Sequence, residues 1–274
     1  MEAASVYVAR ATGATPSELR RLSYISLFWL AAREARRVTR LWTQTVMAPV
    51  VSSMLFVIVF GLSLGNRIRH VGGFEYEVFI LPGLVAMAML TAAYANNSSS
   101  IFQARNDRYI DDILAAPMRP WQVDVGLTLG GVLRALLIGG ALTAIAAPLL
   151  DVPIAEPVML IAASLGAILL FASLGVIVGI YAQSWDHHSF VSNLVIQPLA
   201  FVGGVFYSVE ILPSPWEQLS HANPLFYMVD AIRHGFLGES DVSPLVSLPV
   251  TFALAAAMFA WSVWLFRSGH KLKP

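Results

Sequence analysis

Few residues in this sequence are of a type and spacing to do chemistry, and most that are can be set aside by what they lack. Asp186, His187 and His188 stand together and could form a metal or proton site, but the sequence places no third ligand beside them, so the run reads as a polar turn. Glu210 and Asp230 are acids in an otherwise apolar region. Arg233 lies three residues beyond Asp230 on one helical face, which predicts a local ion pair rather than a catalytic dyad. There is no cysteine, which excludes disulfides, thiolate metal sites and cysteine nucleophiles. No Gly-x-x-x-x-Gly-Lys-[Ser/Thr] phosphate loop occurs, so the chain cannot hold ATP in the usual manner and needs a partner if hydrolysis drives it.

The elements that carry these residues are set by composition. The chain has 274 residues, is 57% hydrophobic and only 12% charged, and its mean hydropathy of +0.68 lies outside the range of ordinary soluble domains. Lys and Arg balance Asp and Glu at 17 each, so no global basic field points to nucleic acid. Met1 to Arg21 lacks the pattern of a cleavable signal, so the first apolar span is expected to stay in the protein. Stretches long enough to cross a bilayer occur at about Thr45 to Leu64, Phe79 to Asn96, Trp121 to Leu150, Pro157 to Tyr181, Phe190 to Tyr207 and Val246 to Phe266. The expected architecture is an all-α polytopic membrane protein, a single domain over residues 1–274 with six transmembrane helices.

Orientation follows from the basic residues, which are retained on the cytoplasmic side. Thirteen of the seventeen lie before the first span, in the second connection or in the tail, which predicts both termini inside. Ser17 to Trp42 mixes Leu22, Ile25, Phe28 and Trp29 with Arg33, Arg36, Arg37 and Arg40. It reads as an interfacial helix whose arginines meet anionic lipid or a cytoplasmic partner, or as a topogenic anchor. Between the second and third spans, residues 106–118 form a short amphipathic helix, with Asn106 able to cap its start and Pro117 and Pro120 ending it. Its mixture of acidic and apolar side chains suits docking on another protein. Residues 208–240 are too apolar for a solvated loop; Leu225, Phe226, Met228, Val229, Ile232 and Phe236 make one helical stripe, and short re-entrant helices are expected to begin near Gly203-Gly204.

Polar groups inside the spans are the remaining candidates. Arg134 falls roughly 20 Å into the third span at 1.5 Å per residue, where an unpaired charge costs several kcal/mol. It is open to two readings, contact with an anionic substrate or a clamp onto carbonyls of neighbouring helices. Tyr94, Asn96 and Asn97, followed by Ser98, Ser99 and Ser100, could line a substrate vestibule or bond across to a neighbour. Gly126-x-x-x-Gly130 and Gly175-x-x-x-Gly179 read as packing.

Two patches carry a family resemblance. The run Gly203-Gly204-Val205-Phe206-Tyr207-Ser208-Val209-Glu210-Ile211-Leu212-Pro213, continuing through Trp216, Asn223-Pro224-Leu225, Tyr227, Asp230 and Arg233 to Gly238, resembles the C-terminal signature of ABC-2-type transporter permeases, closest to the YadH-like and NodJ-like subgroup. Leu81-Pro82-Gly83, Asn97-Ser98-Ser99-Ser100 and the Asp111-Asp112-Ile113-Leu114-Ala115-Ala116-Pro117 segment resemble the second span and coupling helix of the same family. The resemblance implies an ABCG-like (type V) exporter fold in a bacterial inner membrane and a transport subunit rather than an enzyme. It also implies a dimer of permeases, each docked on a separate ATPase subunit that binds the ATP and Mg, with no cofactor in this chain. Asp107, Arg108, Asp111, Asp112, Ile113 and Leu114 would contact the ATPase. Gly203, Gly204, Phe206 and Tyr207 would form the external gate, and a lipid-linked, glycan or amphiphilic substrate would be moved. An ion-coupled secondary transporter or channel is the competing reading. It usually requires midplane ionisable groups or repeated helices, and here only Arg134 qualifies. An intramembrane transferase would need paired carboxylates or clustered histidines in the spans, which the sequence lacks.

Overall fold

The computed structural model describes residues 15–64 and 70–272. Its first helix, α1 (Pro16–Arg40), starts where Thr15 and Glu18 cap one another: the Thr15 hydroxyl accepts from the Glu18 backbone, and Glu18 accepts the Thr15 N–H at 2.7 Å. A π-helical turn, Thr43–Met47, then leads into α2 (Ala48–Leu64). Two short strands, β1 (His70–Val71) and β2 (Phe74–Glu75), pair antiparallel before α3 (Tyr76–Asn106). The helix α4 (Ile110–Ala115) follows, then α5 (Pro120–Leu149) and α6 (Pro157–Tyr181). A helical run from Trp185 to Val202 contains α7 (Trp185–Val191), a π turn (Ser192–Ile196) and α8 (Gln197–Val202). Beyond it come a 3₁₀ turn (Val209–Ile211), α9 (Trp216–Ala222), α10 (Pro224–Leu237) and α11 (Pro244–Ser268).

Among the described residues, five helices are long and apolar enough to cross a membrane: Thr43–Gly61, α3, α5, α6 and α11. The stretch expected to span at Phe190 to Tyr207 ends earlier, at Val202, and begins at Trp185 with a polar first turn of Asp186, His187 and His188. Gly203 and Gly204 end it, Gly204 taking φ 78°, a left-handed conformation open to glycine. The α3 helix continues past Asn96 to Asn106, because Asn97 and Ser100 bond to α6 and α1 and Ser98 and Ser99 bond to carbonyls of α3 itself, so none needs to reach solvent.

Inside the bundle, α3 and α6 are mostly buried while α2 and α11 are mostly exposed. The glycine pairs explain how closely the helices approach. A Cβ on Gly175 would lie 2.5 Å from the Tyr94 carbonyl oxygen, and one on Gly179 would lie 2.7 Å from that of Ser98, so the pair seats α6 on the backbone of α3. Gly126 and Gly130 receive Leu30 and Glu34 of α1 in the same way. Outside the spans, α10 buries Leu225, Phe226, Met228, Val229, Ile232 and Phe236 among α3, α6 and α11. Asn223 caps α10 by accepting the Leu225 N–H at 3.0 Å, and Gly238 closes it at φ 75°.

Gly175→Ala is expected to cost about 1 to 3 kcal/mol through overpacking against the α3 backbone. Gly140→Ala, whose Cβ would meet nothing within 4 Å, should leave stability unchanged or slightly raised. Thermal unfolding of the two variants in detergent checks the pair.

Candidate functional site

One end of the bundle gathers most of the candidate residues. Asp107 ends α3, and Arg108 turns the chain with φ 60°, an uncommon conformation for a residue other than glycine. Asn106, expected to cap the following helix, is instead the last residue of α3, and its amide donates to Asp107 at 3.0 Å. The α4 helix is amphipathic in place: Ile110 and Ile113 are buried in a cluster with Leu30, Ile101, Val123, Leu127, Ile177 and Ile180. Asp107, Arg108, Asp111 and Asp112 are exposed, and Leu114 is half-buried. The apolar side chains of α4 thus face the chain's own core, and its charges face outward.

Beside α4 lies an open cleft of about 1090 Å³, lined by Arg33, Arg36, Arg37 and Arg40 of α1, by Tyr109, and by Asp112. These arginines fall on one face of α1 by helical spacing. The Arg33 guanidinium sits over the Tyr109 ring at 4.4 Å. Burial pushes the Tyr109 hydroxyl above its usual range, opposed by the nearby Arg33 charge.

Behind the cleft is a carboxylate that the sequence did not single out. Glu34 is fully buried, accepting from the Ser100 hydroxyl at 3.0 Å and from Arg37 Nε at 3.2 Å. Arg37 also donates to the Asn96 carbonyl at 2.9 Å. From there the bonds continue inward: the Asn96 amide donates to Asn97 Oδ1 at 3.2 Å, and the Asn97 amide donates to the Ala172 carbonyl at 3.0 Å. A polar seam therefore ties α1 to α3 and α3 to α6, with Gly130 of α5 close enough that a Cβ there would lie 2.8 Å from Glu34 Cβ. Tyr94 donates to the His188 carbonyl at 2.9 Å, joining α3 to α7. Arg134 Nε donates to the Thr45 carbonyl at 3.0 Å, so α5 holds the π turn below α2. The only acid between Leu19 and Trp42, flanked by Arg33 and Arg37, was the available signal for Glu34.

The opposite end carries a second network. Arg233 donates to the Gly204 carbonyl at 2.5 Å and lies 4.1 Å above the Phe79 ring. Asp230 accepts the backbone N–H groups of Asp241 and Val242 at 2.8 and 3.1 Å. Asp241 in turn accepts from the Ser208 hydroxyl at 2.9 Å and the Val209 N–H at 2.8 Å. The expected Asp230–Arg233 ion pair does not form: among the described residues both ion pairs within 4.0 Å involve Glu34. The loop's backbone groups compete for both side chains and take them. Gly83 admits the loop, since a Cβ there would lie 2.9 Å from Val205 Cα. Phe206 and Tyr207 are half-buried; the Phe206 ring lies 5.2 Å from those of Phe60 and Phe201, and Tyr76 donates to its carbonyl at 3.3 Å. Glu210 is exposed. His187 accepts the Gln183 N–H at 3.1 Å, and among the described residues no three His, Asp or Glu side chains converge as a metal site.

A helical bundle of spans, with an amphipathic helix at one end and a buried loop opened by Gly203 and Gly204 at the other, is the architecture of a polytopic membrane protein. The chain belongs to the ABC-2 type transporter family, whose model matches residues 25–237. It is 39% identical over 255 residues to the inner membrane transport permease YadH of Escherichia coli (strain K12), covering 90% of this chain and 98% of that one. Nodulation protein J of Rhizobium leguminosarum bv. viciae is 28% identical over 246 residues, 88% of this chain and 94% of the relative. That of Rhizobium meliloti (strain 1021) is 28% identical over 251 residues. The chain is an integral inner-membrane permease of this family.

Two outcomes follow from these networks. Glu34→Ala should cost about 2 kcal/mol, less than a pair buried on both sides because Arg37 reaches solvent, and Arg37→Ala in that background should recover part of the loss in a thermal-unfolding cycle. Burial raises the Asp230 carboxyl to about 6, against the two N–H groups it accepts and the Arg233 charge. Its favourable contribution is present below the ordinary value of 3.8 and is lost as pH rises through about 6. The stability difference between the parent and Asp230→Asn should therefore shift against the parent between about pH 4 and 6 and stay level above it, as melting curves across that range would record.

Proposed function

We infer that this permease is the membrane subunit of an ATP-driven exporter, with both termini in the cytoplasm and hydrolysis on a separate ATPase that supplies ATP and Mg binding. The carrying observation is α4: its isoleucines anchor it in the chain's own core while Asp111 and Asp112 are exposed, with Asp112 on the arginine-lined cleft. A helix anchored in this way passes a push on its charged face into α3 and α1, which suits coupling to a partner. Asp107, Arg108, Asp111 and Asp112 are the proposed contacts, with Leu114 at the edge and Ile113 acting as an anchor.

A second copy of the chain completes the transporter. Exposed Asn193 and half-buried Gln197 bond to one another at 3.4 Å within the run from Trp185 to Val202. Polar groups facing lipid at that depth are costly, and a partner copy or an aqueous path between copies removes the cost. The path would run along this face, with Tyr94, Asn96, Asn97 and Arg134 as its supporting polar groups and Gly203, Gly204, Phe206 and Tyr207 as the external gate. A lipid-linked or amphiphilic cargo, as for a glycan carrier, fits the apolar surroundings.

Tagged protein solubilised from native membranes is expected to copurify a soluble ATPase. Asp111→Arg with Asp112→Arg should lose it at unchanged permease yield. Failure of any ATPase to copurify with the parent under complex-preserving conditions would overturn the reading.

A further inference from the structure

A second cleft, of about 1190 Å³, opens where the first turns of α1, the start of α5 and the end of α11 meet. Arg20 of α1, Arg119 immediately before α5 and Arg267 in the last turn of α11 all line it, and no Asp or Glu is among its lining residues. Among the described residues, none of the three guanidinium groups lies within 4.0 Å of a carboxylate. Gln122 adds to the wall. Its carbonyl oxygen is taken by the Ser23 hydroxyl at 2.5 Å and the Arg119 N–H at 2.8 Å, which directs its remaining amide donors to other partners.

Three cations brought from three separate elements into one cleft repel each other, and each guanidinium holds five N–H donors in a rigid fork. An anion with several oxygen acceptors answers both demands, and phosphate matches the fork geometry. The surroundings identify where that phosphate comes from. Tyr24 is 49% and Trp121 38% exposed at the rim, and Trp264 stands exposed on α11 next to Val263 of the cleft wall. Aromatic rings of this kind sit at headgroup level, and basic pockets between membrane helices receive anionic headgroups.

We propose that the cleft between α1, α5 and α11 binds the headgroup of an anionic phospholipid, its phosphate held by Arg20, Arg119 and Arg267 and its acyl chains lying against the exposed apolar side chains beside it. The site does not depend on the transport reading. It makes α1 a lipid-held element at its first turns and a protein-held element at Glu34.

The test is native mass spectrometry of delipidated, detergent-solubilised protein titrated separately with phosphatidylglycerol, phosphatidylcholine and inorganic pyrophosphate. The parent should hold phosphatidylglycerol at least tenfold more tightly than phosphatidylcholine. The triple variant Arg20→Gln, Arg119→Gln, Arg267→Gln should lose that preference. A control that removes charge outside both clefts, Arg21→Gln with Lys271→Gln, should keep it. The charge-preserving triple change to Lys should fold as the parent does and bind several-fold more weakly, which keeps the test decisive if the Gln variant is unstable. Equal binding by parent and Lys variant, or equal loss in the control, would overturn the site. Pyrophosphate bound as tightly as phosphatidylglycerol would assign the cleft to a soluble phosphate instead, and loss of a copurifying ATPase with lipid binding intact would assign it to a protein partner.

Discussion

Glu34 cannot be moved without being compensated, and much of one end of the molecule is arranged around that fact. A buried carboxylate is tolerable only where charge and hydrogen bonds meet it. Here the charge comes from Arg37 on the same helix and a hydrogen bond from Ser100 on another. Because Arg37 also reaches the Asn96 carbonyl, α1 is fixed against α3 both along its axis and in rotation. Gly126 and Gly130 are where α5 yields space for this contact. With α1 in place, Leu30 contributes to the cluster that buries Ile110 and Ile113, so the position of α4 follows from the same constraint.

The far end meets the equivalent demand without a buried ion pair. The chain between Gly203 and Val242 leaves regular helix several times, and every buried backbone group freed in doing so needs a partner where water is scarce. Arg233, Asp230, Asp241 and Asn223 supply those partners by bonding to backbone rather than to one another. An arginine and an aspartate three residues apart on a helix suggest an ion pair when only spacing is considered. The loop packed over them is what redirects each side chain, and no local pattern reports that loop.

The same division separates what was legible in the sequence from what was not. Hydropathy and length located the long spans, and the run from Gly203 to Gly238 identified the family that the whole-chain comparison supports. The apolar stripe of α10 was readable because its period is intrinsic to a helix. The end of α3 was not, since Asn96 to Ser100 look like a polar terminus until Ala172 is seen to bond Asn97 and Glu34 to bond Ser100. Asn106 was misplaced as a cap for a related reason: the turn at Arg108 takes a conformation that residue type does not announce. The break near Gly203 was visible in the two glycines, whereas the early start at Trp185 was hidden by the polarity of its first turn.

What joins the two ends is α3 itself. Its residues from Tyr76 to Asn106 form a continuous helix of 31 residues, about 46 Å at 1.5 Å per residue. Near its start, Tyr76 and Gly83 touch the loop that Arg233 holds and Phe79 lies under Arg233 itself; near its end, Asn96 and Ser100 carry the Glu34 seam and Arg108 turns into α4. Rigid elements that bear contacts at both ends are the physical means by which displacement at one site reaches another. Pro82 lies in the second turn of this helix, where its missing N–H removes one rung of the backbone ladder beside the loop. Bending is therefore cheapest next to Gly83 and Val205, while the length from there to α4 is braced by α6. Under the coupling proposed above, a push on α4 would travel along the braced length of α3 to the segment beside Pro82 that packs on the glycine loop.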